Sequence, residues 1–139
     1  MTKDLYYTIP EYFKSRMTDH SNVRRVENES SDDFFLYRVH RIKQRDSVLV
    51  WLSDAYHFTD VDYESRPTEL GSGDYILIAK PEGGGGASEH MIDAARIGVG
   101  RIGEFMGALN VSQLWTYEPP TFEEQRARKK RWESRAPKK

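Results

Sequence analysis

Cysteine is absent from all 139 residues, which excludes a disulfide, a thiolate nucleophile and any cysteine-held zinc or iron–sulfur centre. Histidine is sparse: His20, His40, His57 and His90 stand apart, with no HxH, HxxxH or HExxH spacing, so a structural zinc has no ligand set. No apolar run reaches the 18 or so residues of a membrane span, and no charged, apolar, then small-residue leader opens the chain. No GxSxG elbow positions a nucleophilic serine. The expectation is a soluble, cytoplasmic protein without membrane contact and without a cofactor.

What is present is charge, unevenly placed. The formal net charge is −1. Residues 125–139 hold eight Lys or Arg against Glu133 alone, a net of +7, which leaves −8 on residues 1–124. An acidic body with a basic tail follows.

The body reads as one α/β (α+β) domain over residues 1–120. Pro10 and Glu11 mark a helix start running to about Thr18 or Asp19. Val23–Glu27 reads as a short edge strand, Phe34–Lys43 as an alternating strand, and Val48–Ser53 as a strand covered on both faces. Residues 54–73 show no clean period, although some of Phe58–Tyr63 can extend a strand. Tyr75–Ile78 is a further strand, Gly83–Gly86 a turn, and Ser88 the cap of one long helix reaching Leu109. Its apolar seam is Ile92, Ala95, Val99, Ile102, Met106 and Leu109. Gly100, Gly103 and Gly107 make a bare stripe beside it, read as close backbone packing or as an assembly face for a homo-oligomer. With Gly98, these glycines cost such a helix about 4 kcal/mol relative to alanine. Val111–Tyr117 reads as a returning strand. The sheet is thus four- to five-stranded, mixed or antiparallel, with the long helix packed across it. After Pro119-Pro120, Thr121 and Glu124 form a capping box that opens a basic helical tail over residues 121–139.

Three patterns carry candidate chemistry. Asp60, Asp62 and Glu64 alternate, and an extended backbone projects them from one face, where Asp60 and Asp62 can hold Mg²⁺; a solvated acidic loop is the plainer reading. Gly84, Gly85, Gly86 and Ser88 precede a helix, as in an anion-binding loop for a nucleotide or small molecule, but the lysine of a phosphate-binding loop is missing. Arg126, Arg128, Lys129, Lys130, Arg131 and Arg135, with Trp132 to stack on a base, fit nucleic acid or an acidic protein surface.

The order helix, three or four strands, helix, strand resembles the restriction-endonuclease-like group, whose members carry an acid on one strand and an acid-x-lysine on the next. In GDYILIAK, Lys80 matches the family's lysine, whereas Ile78 stands where its second acid belongs. The resemblance covers residues 9–117 and implies Mg²⁺ beside a scissile phosphate, with one of Asp54, Asp60 or Asp62 as first acid and Asp93, on the following element, as a migrated second acid. A nuclease using Asp60, Asp62, Lys80 and Asp93 is therefore the alternative to the leading expectation, a non-enzymatic accessory or interaction protein whose tail contacts nucleic acid or an acidic partner.

Overall fold

The computed structural model describes residues 5–118 and Arg126. Its centre is a five-stranded mixed sheet in the order β1 (Val23–Asn28), β2 (Phe35–Arg41), β3 (Ser47–Ser53), β5 (Tyr75–Ile78), β7 (Gly98–Gly100). The first three strands form an antiparallel meander, and β3, β5 and β7 then run parallel. A second, two-stranded parallel ladder joins β4 (His57–Phe58) to β6 (Gly84–Gly85). Gly85 is required there, because its φ of 99° favours glycine and a Cβ would collide with the Phe58 backbone.

Helices cover both faces of the sheet, as parallel crossovers demand. One face packs Val48, Val50, Leu52, Tyr75 and Leu77 against Phe13 and Met17 of α1 (Thr8–Thr18) and Phe105 and Ala108 of α4 (Ile102–Ala108). The other sets Leu49, Trp51, Ile76 and Ile78 against Tyr63 of α2 (Asp60–Glu64) and Met91, Ile92 and Ala95 of α3 (Glu89–Ala95). The alternation along β3 sends Val48, Val50 and Leu52 one way and Leu49 and Trp51 the other, all buried. This two-sided burial is what the unbroken run VLVWLS expresses.

Three expectations are corrected. The single helix from Ser88 to Leu109 is two helices with β7 between them. Ser88 stands at the N-cap position of α3 but makes no side-chain capping bond, its hydroxyl going to Asp60 instead, and Arg96 closes the helix in a left-handed conformation, φ 58°, which ends α-helical propagation. Ile97 then enters the core, and Gly98 and Gly100 lie under the Tyr75 ring, where a Cβ on Gly98 would come within 2.7 Å of that ring. The apolar seam therefore divides, with Ile92 and Ala95 on one face of the sheet and Ile102, Met106 and Leu109 on the other. Second, Val111–Tyr117 contains a short 3-10 turn, Leu114–Thr116, in place of a strand. Third, Asp60–Glu64 is helical, so its carboxylates do not line one face of a strand.

The glycines discriminate the two architectures. Gly98→Ala forces Cβ into the Tyr75 ring and is expected to cost about 2 kcal/mol. Gly103→Ala, at a helical position with nothing within 4 Å, is expected to stabilise by about 0.5 kcal/mol through helix propensity. Urea melts of the two variants measure this, and equal effects would contradict the strand between the helices.

Candidate binding cleft at the strand ends

Strands β3, β5 and β7 point the same way, so their carboxyl ends share one edge of the sheet. The chain leaves them through Asp54, through Ala79 and Lys80, and through Arg101. A cleft of about 440 Å³ opens there, floored by Phe13, Leu52 and Leu77, with Thr8, Ile9 and Tyr12 of α1 on one side and Lys80, Pro81, Arg101 and Ile102 on the other. A hollow of about 340 Å³ lined by Leu5, Tyr6, Ile9, Lys80 and Pro81 shares three of these residues and lengthens it.

The lining joins two chemistries. The floor is apolar, while Lys80 and Arg101 bring cations to the rim. Tyr6 is 80% exposed and Tyr12 56%, large aromatic surfaces left in solvent beside the opening, with Tyr7, 81% exposed, at the start of α1. A flat ring carrying an anionic substituent matches this set, through stacking on tyrosine and charge pairing at the rim.

Of the sequence-expected residues, Lys80 lies in the cleft and the acids do not line it. Asp60 faces the start of α3: its Oδ1 accepts the Ser88 N–H at 2.8 Å and its Oδ2 accepts the Ser88 hydroxyl at 2.5 Å. These bonds, the hydroxyl's first, hold the Asp60 carboxyl below its ordinary range. Asp62 folds back to accept from Thr59 N–H at 2.8 Å and from its hydroxyl at 3.1 Å, which fastens the start of α2. Asp93 is exposed on α3. Asp54 does approach the lysine's strand end, because Ser53 pairs with Ile78 and the next residues are Asp54 and Ala79. Among the described residues no three or more His, Asp or Glu converge on a common point.

The glycine loop is occupied by the chain itself. Gly83 N–H donates to Lys80 O, Gly84 N–H to Tyr56 O, and Gly86 N–H to Phe58 O. With Ser88 N–H given to Asp60, four of the donors on which an anion site would depend are used, and a carboxylate from the protein already stands at that position. The assembly stripe dissolves as well. Gly100 is covered by Tyr75 and Gly107 by the Tyr117 ring, and Gly103 is the exposed one of the three. Arg126 is exposed and helical, whereas Arg128, Lys129, Lys130, Arg131, Trp132 and Arg135 lie outside the described residues, as does the capping box at Thr121 and Glu124.

Tyr6, Tyr12 and Arg101 were not singled out from the sequence as site residues. Their signal is weak in one dimension: tyrosine suits any helix flank, and Arg101 falls inside what reads as a helix.

The Asp60–Ser88 contact has a pH signature. A depressed carboxyl contributes stability that is present above the ordinary carboxylate pKa and lost as pH falls through the folded-state value. Ser88→Ala should therefore destabilise at about pH 7, with the gap from the parent closing toward about pH 2; urea melts across that range test it, and a constant gap would contradict the assignment. Comparisons with protein-family models, with curated proteins and with solved structures give no match to this chain.

Proposed function

We propose that this chain is a non-enzymatic, cytoplasmic accessory protein that binds nucleic acid, taking an unpaired base against the tyrosines of the cleft and backbone phosphates on Lys80, Arg101 and the basic tail. The observation that carries the reading is the pairing of solvent-exposed Tyr6 and Tyr12 with two cations around an apolar hollow. Base stacking on aromatic rings and phosphate pairing are the two terms of single-strand binding.

Fluorescence anisotropy with labelled single strands and duplexes at two salt concentrations tests it. Tyr12→Ala should weaken single-strand binding about tenfold, the loss of one stacking contact. Lys80→Ala should reduce the slope of log affinity against log salt by about 1. Binding equal for duplex and single strand, and unchanged in Tyr12→Ala, would overturn the reading.

A nuclease reading has one specific observation in its favour: Asp54 and Lys80 leave neighbouring parallel strands at the same edge. It expects Mg²⁺-dependent nicking that disappears in Lys80→Ala and in Asp54→Asn with stability retained. Binding without cleavage in Mg²⁺ would leave the accessory reading alone.

A further inference from the structure

At the opposite end of β3, about 20 Å from the cleft at the usual rise per strand residue, lies a second concave surface of about 570 Å³ between the start of β1 and the β2–β3 turn. Two arginines reach it through departures from regular backbone. Val23 pairs with Arg41 and Arg25 with His40, so Arg24 is the extra residue of a β-bulge, a device that re-aims a side chain out of the strand's alternation. Arg45 has φ 55°, a region that non-glycine residues other than Asn and Asp seldom adopt. Arg45 lies in the β2–β3 hairpin loop, closed by Arg41 N–H donating to Asp46 O, where a left-handed residue belongs to the turn, and both arginine side chains are exposed rather than packed.

The charges around this hollow are unequal. Arg41 is held by Asp46, its Nε and Nη2 each 2.7 Å from a carboxylate oxygen, and His40 faces Glu27. Among the described residues, Arg24 and Arg45 form no ion pair. Two positive charges therefore remain. Ser47 Oγ, on the wall, accepts from Arg38 Nη1 at 3.1 Å, which leaves its hydroxyl proton for an incoming acceptor.

We infer that Arg24, Arg45 and Ser47 form a binding site for a phosphate monoester group in its dianionic form. Two guanidinium groups balance two charges, and their forked donors fit phosphate oxygens two at a time. A carboxylate or a phosphodiester carries one charge and would leave one arginine unmatched. This site stands apart from the cleft, and the inference does not depend on the nucleic-acid reading.

The test is an amide NMR titration of the full chain with inorganic phosphate at about pH 8, where the dianion predominates, against sodium chloride at equal ionic strength. Saturable shifts confined to residues 23–25 and 44–47 are expected, with binding weakened at least about tenfold in Arg24→Gln and in Arg45→Gln. Arg45→Gly separates recognition from folding: it relieves the positive φ and removes no packed group, so the melting temperature should rise while phosphate affinity falls as in Arg45→Gln. Shifts that fail to saturate or that chloride reproduces, or an affinity unchanged in the Arg24→Gln/Arg45→Gln double variant, would overturn the site.

Discussion

A buried guanidinium ties the two halves of this fold together. The Arg41 side chain is 1% exposed, and besides its fork to Asp46 it donates to the carbonyls of Leu109 at 3.3 Å, Val111 at 2.7 Å and Ser112 at 3.3 Å. Leu109 is the C-cap of α4, and Val111 and Ser112 belong to the turn that follows it, so the guanidinium sits at the negative end of the helix, where a cation is favoured. Asn22 adds a donor to Leu109 O at 2.8 Å and accepts the Lys43 N–H at 2.9 Å. The turn after α1, the β2–β3 hairpin and the end of α4 thus meet at one polar node. Burying a charge there is tolerable because Asp46 and the carbonyls satisfy its donors.

That node governs the site at a distance. The far end of α4 carries Arg101 and Ile102 to the cleft, opposite Lys80. With the carboxyl end of α4 fixed to the hairpin, its amino end is held at the strand edge, and the gap to α1 remains open as a hollow. The helix is pinned further by His20 Nε2, 2.9 Å from Met106 O, which ties the residues following α1 to α4 at the end remote from the opening. The cleft is the unpacked end of an otherwise closed α1–α4 layer.

The parts legible in the sequence are those whose signal is local. The run VLVWLS names a strand buried on both faces and the alternation of FLYRVHR names its neighbour, as the structure has them, while Pro10 and Glu11 mark the first turn of α1, which begins earlier, at Thr8. The error over residues 88–109 has a physical source. Ile92, Ala95, Ile102 and Met106 keep helical spacing across the break by coincidence, yet they pack on opposite faces of the sheet. Four glycines at a cost of about 4 kcal/mol to a helix were the counter-signal, and Gly98 and Gly100, two apart and beside a tyrosine, fit a strand that another side chain must cross. Asp60 failed for a different reason, since its partner Ser88 lies 28 residues away, beyond any spacing rule. The cleft itself is a product of topology: Tyr12 on α1, Leu52 on β3, Leu77 on β5 and Arg101 at the N-cap of α4 are far apart in the chain, and the sheet order makes them neighbours.

Charge placement limits how such a protein can meet a polyanion. Residues 1–124 sum to −8, a field that repels nucleic acid at long range and is screened within about 8 Å at physiological ionic strength. On the reading proposed above, the cations of the cleft act inside that distance, where stacking on tyrosine adds a term that salt leaves largely intact, and residues 125–139, with their net +7, offset the repulsion during encounter. Recognition divided in this way, as the proposed reading has it, would show two salt dependences, a steep one from the basic residues 125–139 and a shallow one from the cleft, because stacking inside the contact does not depend on the field of the acidic body.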